Sequence, residues 1–331
     1  MRLRKIFRTM MKHISWLILL LGVLVSCQKE DKGWNIDLKA PLPKVKTVDI
    51  SHQFYDENYS LEDFKKEYPW FQGTVSDEDF MLRRKDTLEI NIYKEALKKV
   101  NVPELEKGLS ELFARVQHYF PQFKTPVVYL YSSAVQDVEV PVFYHAEKNW
   151  LFIDIAAFMG EGNHYYRGVN QYLQVSMNSQ NLLPKAALAL SEHIVPMDRS
   201  EQKFIDKMMY EGKLMLLQDA LLPNTADYLK IGYTPKQYEW ATQNKSNIWN
   251  FFVENDLLFS DDMQLSGRFL APAPFSKFYT EVDNESSPRV GVYTGWEIGR
   301  KFFKEKPETP LPQFLNMKGE EIFNQSKYQG K

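Results

Sequence analysis

The chain of 331 residues contains a single cysteine, Cys27. An internal disulfide is therefore impossible. Histidines number six, one of them (His13) in the N-terminal leader, and no two of the rest stand three or four residues apart. HExxH, GxSxG, GxxxxGK[ST] and a strand-linked GxGxxG are all missing. Those gaps remove zinc peptidase, serine hydrolase and nucleotide-binding chemistries in their ordinary forms. A basic excess is missing too. Net charge is −2, and setting aside Arg2, Arg4, Lys5, Arg8 and Lys12 of the leader leaves −7. A mildly acidic body argues against nucleic acid as a partner, which would need a basic stripe.

What is present begins with an address. Five cations precede a twelve-residue apolar run, Ile14 to Val25, which ends in Leu24-Val25-Ser26-Cys27. The run is too short for a comfortable bilayer span and suits a signal-peptide core. The final four residues match the bacterial lipobox, so residues 1–26 are expected to be removed and Cys27 to carry lipid. Gln28 to Lys46 is polar, proline-bearing and aperiodic, so 27–46 reads as a lipidated N-terminus with a tether. The acidic Lys29-Glu30-Asp31 stretch resembles lipoprotein surface-export signals of Bacteroidota.

Residues 47–331 carry hydrophobic and aromatic content sufficient for one substantial core: 44% and 14% of the whole chain. Thr47 to Phe71 reads as short extended and helical pieces, and Asp77 to Leu97 as mainly helical. Leu105, Leu109, Leu112, Phe113, Val116 and Phe120 share one face of a 3.6-residue period behind Pro103, which predicts a helix over 103–120. PVVYLY (126–131), VEVPVFYH (138–145) and NWLFIDI (149–155) are β-branched and aromatic runs, the last two joined as a hairpin through Glu147-Lys148-Asn149. Helices are expected at 165–180, 183–195, 199–222 and 234–258. Gly291, Gly295 and Gly299 form a stripe on a further helix. Glu297, Arg300, Lys301 and Lys304 forbid a membrane span there, leaving close packing as its role. The fold class is α+β: a helix-rich single domain with a small central sheet.

One stretch asks a chemical question. LALSEHIVPMDRSEQKFIDKMMYEGK (188–213) resembles the helix pair of gluzincin zinc peptidases, in which HExxH is followed by Glu-Gly on a second helix. Ser191 and Val195 stand where the two histidines belong, and only Glu192 and Glu211 match. The inverted HxxEH pattern fails at Ala189. Tetrahedral zinc needs three protein ligands and a water, so no metal and no cofactor are expected. Glu192 and Glu211 then form a vestigial site on adjacent helices facing a common interior, each neutral or paired with a base or hydrogen-bond donors; Lys213, Arg199 and Arg289 are the candidate cations. The alternative is a metal-dependent hydrolase with an unusual carboxylate site around Glu192 and Glu211. Aromatic content alone would also allow carbohydrate binding, but aromatics more often line a core.

YEGKLMLLQDALLP (210–223), GYTPKQYEW (232–240), NIWNFFVENDLLF (247–259), PAPFSKFY (272–279), NESSPRVGVYTGWEIGR (284–300) and SKY (326–328) occur in this order. Together they resemble the gliding-motility-associated lipoprotein family GldB. The resemblance implies a lipid-anchored envelope protein of Bacteroidota, linked to gliding and type IX secretion machinery. It implies a degenerate gluzincin architecture that is no longer an enzyme, and other envelope proteins as partners. Membrane attachment would run through Cys27, to the outer rather than the inner membrane.

Overall fold

A computed structural model describes residues 33–331 except Asn35, Glu201 and Val282. Cys27, the leader and the start of the tether lie outside the described residues. The body, Asp37–Lys331, is described by itself.

Strand β1 (Thr47–Asp49) leads into helices α1 (Ile50–Tyr55), α2 (Leu61–Glu67), α3 (Asp77–Lys85), α4 (Thr87–Lys99) and α5 (Val102–Tyr119). Then come β2 (Val127–Tyr131), β3 (Val142–His145) and β4 (Trp150–Asp154), followed by α6 (Gln171–Gln174), α7 (Leu182–Ile194) and α8 (Phe204–Leu221). The rest is helical: α9 (Asp227–Ile231), α10 (Pro235–Gln243), α11 (Lys245–Glu254), α12 (Gln264–Phe269), α13 (Val290–Glu305), α14 (Leu311–Asn316) and α15 (Gly319–Ser326). The expected helix at 103–120 and the strands within 126–131 and 149–155 are observed, whereas of the run 138–145 only Val142–His145 is strand, because Pro141 before it has no N–H for the ladder. The hairpin closes through Asn149, whose φ of 56° is one that asparagine tolerates.

The sheet has four strands in the order β1-β2-β4-β3. Thr47 pairs with Val128 and Val127 with Trp150 in parallel; Val142 pairs with Ile153 antiparallel, which puts β3 on an edge. On one side lies an aromatic cluster of Phe54, Phe64, Phe80 and Phe152, joined by partly buried Trp70, Phe71 and Trp150. Much of the aromatic content is thus core. Asp154 ends β4 fully buried, accepting from Ser133 N, Ser133 Oγ and Ala156 N. Desolvation pushes its carboxyl up to about 6 despite these donors.

Three further expectations need correction. The segment 165–180 is not one helix. Gly168 takes φ +95°, and Asn163 and Asn178 accept from their own neighbours Tyr165 N and Gln180 N, so only α6 and two 3-10 turns form. Such side-chain bonds compete with the helical ladder. The helix expected from 199 starts at Phe204, and the one over 234–258 breaks at Asn244 into α10 and α11. Asn244 Nδ2 donates back to Trp240 O, closing the first helix.

α8 is the axis of the C-terminal half. It is buried on nearly every side from Phe204 to Leu221, which explains an apolar sequence without a clear amphipathic period. α13 crosses it through the glycine stripe. A Cβ on Gly295 would lie 2.0 Å from Met208 O, and one on Gly291 2.7 Å from Leu270 Cδ2. At Gly299 the nearest atom would be 3.5 Å away, ordinary contact, so the stripe is tight at two of its three positions.

Candidate functional site

α7 and α8 lie side by side, and α8 brings Glu211 to Arg289 at the start of α13. Glu192 near the end of α7 is solvent-exposed, so the two carboxylates do not share an interior. Glu211 on α8 is half-buried and pairs with Arg289 (Nη2 to Oε2, 3.4 Å), with side-chain exposures of 27% and 22%. Of the three candidate cations, Arg289 is the partner. Lys213 is buried and donates to Met317 O, while Arg199 lies in an exposed turn.

Arg289 is held in place from three directions. Nε donates to Leu270 O (3.2 Å), Nη1 to Ile231 O (3.3 Å), and Nη2 to Glu211. The residue caps α13 in the left-handed region, φ 53°. The guanidinium thus ties α8, α9 and α12 to the start of α13. The sequence points to Arg289 but not to its carbonyl partners, which stand at the C-terminal ends of two helices distant in sequence.

The electrostatics follow from crowding of both signs. Desolvation raises the Glu211 carboxyl, and the Arg289 charge offsets part of that. Glu192 is raised by desolvation and then by the charge of Glu211, against Lys185 and Arg289. Tyr210, between them in sequence space on α8, is pushed up to about 12 by desolvation and both glutamates. Lys185, two turns before Glu192 on α7, is pushed down to about 8 by desolvation and then by Arg289. Sequence reading passed over Lys185, because one lysine on an amphipathic helix carries no signal.

Beside Lys185 and Arg289 lies a cavity of about 90 Å³, walled by Val138, Pro141, Tyr233 and Pro272, with Glu139 at its edge. It sits where β4 ends and β3 begins, at the carboxyl end of the parallel strands.

The positions equivalent to zinc-binding histidines are used otherwise. Ser191 is fully buried and its hydroxyl donates to Ala187 O at 2.8 Å. Val195 is core at 2% exposure. His193 is exposed, its ring against Tyr144 of β3 at 5.2 Å. Among the described residues no three His, Cys, Asp or Glu side chains are grouped to hold a metal ion. The Glu-Gly pair of α8 has a packing reason of its own, since a Cβ on Gly212 would lie 2.4 Å from Gly295 C.

A second charged cluster was not legible in the sequence. Asp219, fully buried on α8, accepts from Lys230 Nζ (2.7 Å), Trp296 Nε1 (2.9 Å) and Arg300 Nε and Nη2 (2.8 and 2.9 Å). Arg300 also reaches Asp227 (2.9 Å) and Glu297 (3.3 Å), and stacks 3.7 Å from the Trp296 ring centroid. Every acceptor oxygen of Asp219 is engaged from within the protein, which makes this a structural clamp between α8, α9 and α13.

The family model described as gliding motility protein GldB matches residues 31–330, so the chain belongs to that family. No curated protein and no solved structure matches it.

Proposed function

We propose that this protein is a lipid-anchored component of the cell envelope that serves gliding motility by contacting other envelope proteins, without catalysis. The observation that carries the reading is the family match, which starts four residues behind Cys27 and runs to within one residue of the end. The lipobox supplies the anchor, and the outer membrane is the favoured site. Partners would belong to the gliding and type IX secretion-associated machinery.

The non-catalytic part rests on side chains. Ser191 and Val195 are committed to the core, and Glu211 is committed to Arg289. A hydrolase would need two more neutral ligands near Glu192, and the neighbouring His193 faces Tyr144 instead. We read α7 and α8 as a peptidase-like helix pair whose charges now organise the start of α13.

Fractionation tests the anchor. Each buried CH₂ of an acyl chain contributes about 0.8 kcal/mol, so a multiply acylated Cys27 holds the protein far more firmly than its acidic surface could. Cys27→Ala should leave the membrane fraction or stay unprocessed. Correct cleavage with unchanged membrane retention would refute the anchor.

A further inference from the structure

The cavity beside Lys185 has features that contact with other envelope proteins does not require. Its two cations are unequally provided for. A guanidinium carries five N–H donors, and Arg289 engages three of them, on Leu270 O, Ile231 O and Glu211. The remaining two have no acceptor among the described residues. The Lys185 ammonium, half-buried in the wall, has no hydrogen bond or ion pair with any described residue.

The charges around Lys185 do not make up for that. Desolvation and then Arg289 act against its charged form, and Glu192, the opposite charge that reaches it, acts less strongly than either. Glu211 is taken up by Arg289, and Glu139 stands exposed at the cavity edge. A desolvated ammonium beside a guanidinium, with donors and no acceptor, destabilises the fold unless negative charge arrives from outside.

Chemistry narrows the ligand. Lysine and arginine offer donors only, so the ligand is an acceptor, and a charged acceptor binds them most strongly. Away from the cations, Val138, Pro141, Leu173 and Pro272 present apolar wall. A phosphate would turn oxygens against that wall without donors, leaving buried polar atoms unpaired. A carboxylate turns both oxygens to one side and presents carbon to the other. Size narrows it further. A cavity of about 150 Å³ takes a benzene ring, so the 90 Å³ here fits about five non-hydrogen atoms.

We propose that the cavity lined by Lys185 and Arg289 is a binding site for a short carboxylate, held through Lys185 and the two remaining N–H groups of Arg289. The site goes beyond the protein-contact reading and does not depend on it. A simple acid and a small amino acid share this chemistry, and the ammonium of an amino acid would turn to Glu139 at the edge.

Three probes of equal size test it: propionate, propionamide and glycine. Each is titrated into the purified full-length protein in detergent, with binding read by ligand-observed NMR. Propionate or glycine should bind saturably and about tenfold or more tighter than propionamide, which keeps the shape and loses the charge. Propionate binding tighter than glycine assigns a simple acid. Glycine binding tighter, with the gain removed by Glu139→Gln, assigns an amino acid. Lys185→Met fills the same space without an unpaired cation, so it should melt no lower than wild type yet lose the preference for carboxylate over amide. Lys185→Arg should keep much of that preference. Saturable binding of neither carboxylate, equal binding of the amide, or a preference that survives Lys185→Met would overturn the proposal. Binding is read on isolated protein, so failure here leaves the Cys27 fractionation result untouched.

Discussion

Gly212 of α8 and Gly295 of α13 meet backbone to backbone: a Cβ on Gly212 would lie 2.4 Å from both Gly295 C and Gly295 O. Neither obstacle is a side chain that could swing away, so α8 and α13 would have to separate. Gly295→Ala and Gly212→Ala should each destabilise at the upper end of, or beyond, the ~1–3 kcal/mol usual for overpacking. Gly299→Ala meets Phe314 Cζ at 3.5 Å and the Leu216 methyls at 3.7 and 3.8 Å, all ordinary contacts, and should be near neutral, or slightly stabilising through helix propensity. Chemical denaturation of the three variants checks the ranking, and equal losses at 295 and 299 would contradict it.

Asp219→Ala should be among the most damaging single substitutions in the C-terminal half. It strips the acceptor from Lys230, Trp296 and Arg300 at once, leaving cations buried that Asp227 and Glu297 only partly compensate. Breaking a buried pair on one side costs about 3–5 kcal/mol. A loss under about 1 kcal/mol by denaturant unfolding would show that the clamp contributes little.

Asp154 predicts a pH dependence. Its carboxyl rises from 3.8 to about 6 on folding, so between those values the folded chain binds more protons than the unfolded one. Stability attributable to this group is then greatest at low pH, falls as pH rises through that window, and stays low above it. Relative to Asp154→Asn, wild type should lose on the order of 2–3 kcal/mol between about pH 4 and pH 7. Parallel stability curves for the two proteins would place the Asp154 titration elsewhere.

Elements with a clean period were legible from sequence. The face of α5 and the alternating, β-branched strands declare themselves, because each buries one side against the core. The parallel pairing of β1 was not legible, since three residues carry no pattern and their partner lies some eighty residues away. α8 hid its role for the opposite reason, being apolar all round. The glycine stripe is legible, but in sequence its partner Gly212 reads as part of a peptidase-like Glu-Gly motif. Of the candidate site, Glu211 and Arg289 were named in advance. Lys185 was missed because its significance lies in having no partner, and the Asp219 clamp because its members are scattered over some eighty residues.

The most direct test of the central claim is surface spreading of a gliding host that lacks its own family member and is complemented with this chain. Wild type provides the reference. The non-catalytic account predicts that Glu192→Gln, at wild-type abundance, restores spreading as fully as wild type does. Spreading lost in Glu192→Gln, with the protein present and membrane-bound, would contradict the account and make Glu192 an acid or base in a reaction.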